Sequence, residues 1–256
     1  MAGRFEGKVV LVTGGAAGIG HGIATAFAQE GAKIAIAEIN AEAGDKAARD
    51  FAEQGVTARS YQCDVASYED VQRAIGGAIA DLGGLHVLVN NAGVSFVGPH
   101  TQDTAVEVWE RSVAVMQSGV FYCSQVAGRH FLEQKEGNVI NISSIRGFSS
   151  NPGRIAYCAT KAAVIMMTRV MAAEWAPFGV RVNAIAPGIT RTPMWDDDVA
   201  RGAIDEPKLV SLVPMLRMCT PAEIGKVATF LASEDAAYIT GTTVTIDGGA
   251  TLIPRV

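Results

Sequence analysis

The stretch Val9-Val10-Leu11-Val12-Thr13-Gly14-Gly15-Ala16-Ala17-Gly18-Ile19-Gly20 decides how this chain folds. Its opening residues are apolar or β-branched, as a strand buried on both faces requires. Beyond the glycines, Ile19, Ile23, Ala26 and Phe27 recur at helical spacing. Strand, glycine-rich turn and helix, in that order, form the context that a pyrophosphate-binding loop needs. Gly14, Gly18 and Gly20 suit a tight turn, a close approach of backbone to phosphate and close packing of helix on strand. Ala17 and Ile19 share the loop, and the helix N-terminus adds the positive end of its dipole.

Working outward, short β-branched runs alternate with longer helical patterns, the rhythm of repeated strand-helix-strand units with right-handed crossovers. The expected strands are 9–13, 33–38, 57–63, 86–90, 138–143, 181–186 and 243–247. The expected helices are 19–30, 41–54, 68–81, 106–133, 155–176 and 222–232. No linker interrupts the 256 residues, so the reading is one α/β domain of Rossmann type, a doubly wound seven-stranded parallel sheet flanked by helices. Residues 187–218 show no clear periodicity, and a stretch of that length inside a compact domain is read as a substrate-covering segment.

Composition narrows the function classes. The chain is 49% hydrophobic and 18% charged, with a formal net charge of -5. No cluster of Lys and Arg offers a phosphate-tracking surface, which disfavours a nucleic-acid partner. No uninterrupted apolar run approaches the roughly 18 residues of a membrane span, and residues 1–8 lack the apolar core of a secretory signal. A cytoplasmic location and no membrane partner are the expectations. Cys63, Cys123, Cys158 and Cys219 are widely spaced, and His21, His86, His100 and His130 do not pair with them at metal-ligand spacing. Free thiols and no metal are expected.

Two further features carry chemistry. Glu38 closes the second expected strand about 20 residues past the glycine loop, where a carboxylate accepts hydrogen bonds from adenosine ribose hydroxyls. Ala16, Ala17, Ile39 and Asn40 bring no positive charge to offset it, which favours NAD over NADP. Downstream, Tyr157 and Lys161 stand four apart on an expected helix and project from one face. A phenol near pKa 10 is a poor base at neutral pH, and an adjacent ammonium favours phenolate. Ser144 lies on the strand before them.

In these motifs the chain resembles the short-chain dehydrogenase/reductase family over nearly its whole length. The resemblance implies that Ser144, Tyr157 and Lys161 are catalytic, with Ser144 holding the substrate oxygen and Lys161 also binding the nicotinamide ribose. It implies adenine contact at Asp64-Val65 and a cofactor-lining turn at Asn90-Asn91-Ala92-Gly93. It places Pro187-Gly188 beside the nicotinamide, with Thr190 meeting the carboxamide through its backbone and Thr192 supplying a hydroxyl. One position departs: where the family carries an asparagine seven residues after the tryptophan, Trp109 leads to Met116. The family's asparagine supports a helix distortion and a water connecting the lysine to solvent. A thioether lacks the amide's donor and acceptor, leaving that role to backbone, Gln117 or Ser118.

The substrate side is less defined. Arg154 is expected about one turn below Tyr157 at the mouth of the site, with Arg146 near Ser144. Either guanidinium could grip an anion or donate to several hydroxyls, or form a structural ion pair. Met194, Trp195, Leu212, Met215 and Leu216 supply apolar area in the covering segment, and Asp196, Asp197 and Asp198 form an acidic run. The resulting expectation is an NAD-dependent oxidoreductase acting on a secondary alcohol or ketone, with sugars, polyols and hydroxy acids leading. Two rivals stay open: a 3-oxoacyl thioester reductase, and an NAD-binding assembly or regulatory protein. The helix over 155–176 is apolar around much of its circumference, and similar short-chain dehydrogenases pair helices across a two-fold axis. A homotetramer is expected, with the tail 250–256 reaching a neighbour.

Overall fold

The computed structural model describes residues 3–252, and residues 253–256 of the tail lie outside the described part. Its strands are β1 (Val9–Thr13), β2 (Lys33–Glu38), β3 (Ala58–Gln62), β4 (Val87–Asn90), β5 (Gly137–Ile142), β6 (Val180–Pro187) and β7 (Thr243–Ile246). They form one seven-stranded sheet in the order β3-β2-β1-β4-β5-β6-β7, and every pairing is parallel. Each expected strand is present within a residue or so of its expected limits. The chain leaves β1 in one direction and returns at β4 in the other, so their C-terminal ends diverge into a crevice at this switch point.

The helices are α1 (Gly18–Gln29), α2 (Ala41–Glu53), α3 (Tyr68–Leu82), α4 (Val106–Val113), α5 (Gly119–Gln134), α6 (Ile155–Trp175), α7 (Pro193–Ala200), α8 (Glu206–Ser211) and α9 (Pro221–Ala232). Alternation along β1 assigns them to two layers. Val9 and Leu11 pack with Ile75 of α3, Phe131 of α5 and Met171 of α6. Val10 and Val12 pack with Phe27 of α1, Phe51 of α2 and Ile224 of α9. Both faces of the central strands are dry, which explains why β1, β2 and β4 read as near-continuous apolar runs, whereas the edge strands β3 and β7 are only partly buried.

Three expectations change. The single helix over 106–133 is α4 and α5 joined by a π-helical turn, Ala114–Ser118. Residues 187–218 contain α7 and α8, each capped at its N-terminus by a side chain, Thr192 and Asp205. Both helices run for less than about three turns, too short for a 3.6-residue period to emerge from the sequence. Finally, Ile155–Phe178 is long and apolar enough to cross a membrane by length and composition alone, with mean hydropathy 1.3. Its polar residues Thr160, Lys161 and Thr168 are buried and interrupt the apolar run that the sequence reading sought. Thr168 accepts a 2.9 Å hydrogen bond from Asn141 of β5, which ties α6 to the sheet.

Candidate active site

A cleft of 580 Å³ opens over the C-terminal ends of the sheet, lined by the loop after β1, the turn after β4, the segment after β5, the first turns of α6 and the segment after β6. At one end is the glycine loop. Gly14 and Gly18 have φ of 62° and 55°, the left-handed region where a side chain is strained. Gly20 is there for space: a Cβ on it would lie 2.1 Å from the Gly14 carbonyl oxygen. Asn91 clamps the same turn from the next strand, its Nδ2 donating to the carbonyls of Thr13 and Gly14 at 2.9 and 3.1 Å. Thr13 Oγ1 accepts from the Asn91 and Ala92 N–H groups at 2.9 and 3.0 Å.

The N-terminus of α1 follows Ala17, which supplies no side-chain cap, and its first turn holds no acidic residue. Gly14, Ala17, Gly18 and Ile19 all face the cleft. Uncapped N–H groups and an open dipole end against bare backbone are what a pyrophosphate needs, so these residues fit a nicotinamide dinucleotide. Glu38 lines the cleft as well, its Oε1 accepting from Ile39 N at 3.0 Å. Asp64 and Val65 line a smaller adjoining cleft with Glu38, Ala92 and Gly93. Arg111, which the sequence reading did not single out, reaches into that cleft from α4 and donates to Asp64 Oδ2 at 3.2 Å. Nothing in the sequence links positions 64 and 111; the packing of α4 brings them together.

Further along the cleft, β5 and α6 bring Ser144, Tyr157 and Lys161 to one wall. Ser144 is buried, and its Oγ accepts from Arg146 N at 3.1 Å. Lys161 is buried, donates from Nζ to the Ile142 carbonyl at 2.8 Å and stands 5.7 Å from the centre of the Tyr157 ring. Ser143 donates to the Lys161 carbonyl at 2.8 Å, fixing this turn of α6 against β5.

Burial dominates the electrostatics of the Tyr157–Lys161 pair. Burial pulls Lys161 down to about 8. Burial also pushes Tyr157 up, opposed first by its hydrogen bond with Ser144 and then by Arg154 and Arg146. Lys161 Nζ sits over the ring face, and Arg154 and Arg146 add positive charge that opposes the rise. A group pushed up by burial needs a partner or a bound charge to reach a neutral-pH working range.

Met116 is buried within the π-helical turn and borders the cleft. The helix distortion that the resemblance associates with an asparagine is therefore present with methionine in its place. Met116 also belongs to the core cluster with Val115, Cys123 and Leu88, so its thioether fills apolar space. Among the described residues, neither Gln117 nor Ser118 hydrogen-bonds Lys161 through its side chain.

Pro187, Gly188, Thr190 and Thr192 border the cleft from β6 onward. Cys219 N donates to Ile189 O at 2.8 Å and Arg191 N to Cys219 O at 3.0 Å, a bridge that pins both ends of the covering segment and leaves Thr190's own N–H outside it. Thr192 Oγ1 accepts from Trp195 N at 3.2 Å. Arg154, at the N-terminus of α6, lines the cleft and donates to Ser95 Oγ at 3.2 Å. Arg146 also lines the cleft and donates to Ser149 Oγ at 3.3 Å. The acidic run divides: Asp198 is buried and lines the cleft, while Asp196 is exposed and accepts from Arg191 at 3.0 Å.

A family profile described as enoyl-(acyl carrier protein) reductase matches residues 14–251. The chain is 38% identical to D-threitol dehydrogenase of Mycolicibacterium smegmatis, over 97% of this chain and 95% of that protein. Among solved structures, it superposes on a gluconate 5-dehydrogenase from Burkholderia cenocepacia, in complex with NADP and tartrate. That match has a TM-score of 0.92 and 34% identity, over 98% of each chain. It also superposes on NAD+-bound xylitol dehydrogenase with a TM-score of 0.89 and 34% identity, over 96% of this chain and 99% of the other.

Proposed function

This chain belongs to the short-chain dehydrogenase/reductase family, whose members bind a nicotinamide dinucleotide, and we propose that it is an NAD-dependent dehydrogenase of secondary alcohols. A sugar, polyol or hydroxy acid is the alcohol. One observation carries the reading: the buried set of Ser144, Tyr157 and Lys161 shares a cleft with an uncapped glycine loop. Relatives named for threitol, xylitol and gluconate support the substrate class.

A nicotinamide bound in the cleft would accept hydride from the carbinol carbon. The chain's own residues hold and move the proton. Tyr157 takes the alcohol proton at its phenol oxygen when it reacts as phenolate. Ser144 Oγ accepts from Arg146 N and its hydroxyl is hydrogen-bonded with Tyr157; a substrate oxygen placed between the two would take that donor, which would steady its developing charge. Lys161 spends one N–H on Ile142 O, which leaves its others to hold the dinucleotide's ribose when the cleft binds one. Reduction runs the same path in reverse.

Glu38 sets the preference for NAD, because a ribose 2′-phosphate would meet its carboxylate with no cation at Ala16, Ala17, Ile39 or Asn40. Exposed apolar side chains, among them Phe121 and Met166 on α5 and α6 and Phe230 on α9, support assembly into a homotetramer. Light scattering on the purified protein measures that directly, and a monomer would remove this part of the proposal.

The experiment is turnover followed by NADH absorbance, with NAD and NADP in parallel, against polyols, sugars, hydroxy acids and simple secondary alcohols. The expected result is reaction with NAD at a kcat/KM at least tenfold above NADP, and a ratio that falls in Glu38→Ala. The profile description favours a second reading, reduction of the double bond of an enoyl thioester. An enoyl thioester, and the 3-oxoacyl thioester of the other rival, each with NADH and NADPH, belong in the same panel, and faster turnover of either would replace the alcohol reading.

A further inference from the structure

Within the substrate end of the cleft, one charge has no role in the reading above. Asp198 on α7 has a side chain only 5% exposed and lines the cleft. Its Oδ1 is bonded by Arg201 Nη2, whose side chain is 69% exposed. The pair thus runs from cleft wall to outer surface. No hydrogen bond within the described residues engages Asp198 Oδ2.

The rest of α7 shows how this carboxylate is presented. Trp195 lines the same wall one turn earlier, and Asp196 and Asp197 are exposed. The Trp195 indole N–H donates to Glu206 Oε2 at 2.8 Å, and Glu206 Oε1 accepts from Arg191 at 2.5 Å. The indole has therefore spent its donor and offers the cleft an apolar surface. Glu206 ties α8 to α7 and to the start of the covering segment, which fixes both Trp195 and Asp198 over the cleft. Positive charge gathers at the reacting end instead, where Arg146 and Arg154 act on Tyr157.

We infer that Asp198 is a specificity-determining residue that accepts a hydrogen bond from a substrate hydroxyl remote from the reacting carbinol, making the substrate a polyol. This rests on the dehydrogenase reading and narrows its substrate class. A carboxylate only 5% exposed, whose second oxygen keeps its small exposure and is bonded by no described residue, favours a ligand that donates to it. A hydroxyl does so at no cost in charge. A methyl group leaves the oxygen dry, and a carboxylate or sulfonate meets like charge in a cleft of low dielectric. A site built to bond a hydroxyl rejects analogues lacking it far more strongly than an apolar pocket rejects a size mismatch. The apolar wall at Trp195 suits the C–H surface of the same carbon chain.

The test compares a tetritol, the matched diol ending in a methyl group and the matched aldonate, on wild type and Asp198→Asn. Thermal melts and NADH affinity report whether the variant folds. The expected result is a wild-type kcat/KM order of tetritol, diol, aldonate. In the variant, the ratio of tetritol to aldonate falls at least tenfold. Ratios unchanged within twofold, or a wild type that prefers the aldonate, would overturn the role of Asp198.

Binding keeps this separate from the reading beneath it. Calorimetry of the tetritol into the enzyme–NADH complex should show at least tenfold weaker binding to Asp198→Asn, whether or not turnover occurs. Binding without turnover of any alcohol would sink the dehydrogenase reading and leave the recognition intact. Equal binding by both proteins, or no binding by wild type, would sink the inference about Asp198 alone.

Discussion

The two ends of the cleft are built by opposite means. At the glycine loop the surface is backbone, its shape is fixed by positive φ at Gly14 and Gly18, and its clamps are half-buried hydrogen bonds to backbone that Asn91 donates and Thr13 accepts. In the covering segment the surface is side chains on the short helices α7 and α8, held by half-exposed links such as Arg191–Glu206 and Arg217–Glu223. Half-buried clamps on backbone groups cost more to break than exposed ion pairs, which contribute little each. The difference teaches that the end needed for every dinucleotide is rigid, while the end that reads one substrate is held loosely enough to vary.

The sharpest way to test the division is at the shared wall between the ends. Tyr157→Phe should lower kcat by about three orders of magnitude, within the range of lost general acid–base catalysis. NADH affinity measured by fluorescence should stay within about twofold. Substantial residual turnover would move the proton chemistry elsewhere.

Next in size is a pH effect on the ligand-free protein. Lys161 sits at about 8 in the folded state, below its unfolded value near 10.4. A lysine with a depressed folded pKa costs stability while charged. That cost is fully present below about pH 8 and fades as pH rises toward the unfolded value. Between about pH 7 and pH 10, urea midpoints should show wild type gaining stability relative to Lys161→Met, by at most about 3 kcal/mol. A flat difference would mean the buried ammonium is better compensated than its single bond to Ile142 indicates.

Gly20→Ala probes the backbone end alone. The added methyl meets the Gly14 carbonyl at 2.1 Å and Asn91 Nδ2 at 2.5 Å, and overpacking of this kind costs about 1–3 kcal/mol. Denaturant melts should register that loss, and NADH affinity should fall with it. An unperturbed variant would show that the loop is softer than its clamps suggest.

The smallest effect belongs to the covering segment. Glu206→Ala removes the acceptor shared by Trp195 and Arg191, and KM for the alcohol should rise about three- to tenfold while kcat changes less than about twofold. Parallel loss in kcat would mean that this segment takes part in the chemistry, and the contrast between the two ends would fail.

Much of this was legible in the sequence because it rests on local rules. β1 and the start of α1 followed from apolar character, glycine placement and spacing. Tyr157 and Lys161 share a face of α6 because four residues make about one turn. What was missed depended on contacts between distant parts of the chain. Arg111 meets Asp64 across 47 positions, and Asp198 and Asp196 look alike until α7 packs one inward and leaves the other out. The same holds for Tyr157: spacing places Lys161 near the ring, but the position of its nitrogen over the ring face and the burial that raises the phenol come from packing.

The sequence by itself determined the parallel sheet, the dinucleotide loop and the residues that share the catalytic wall, because periodicity, glycine conformation and helical spacing act over a few residues. Only the tertiary structure decided the π-helical turn around Met116, the capped helices of the covering segment and the inward carboxylate of Asp198. Those depend on which surfaces are withdrawn from water against one another, and burial is a property of the assembled chain.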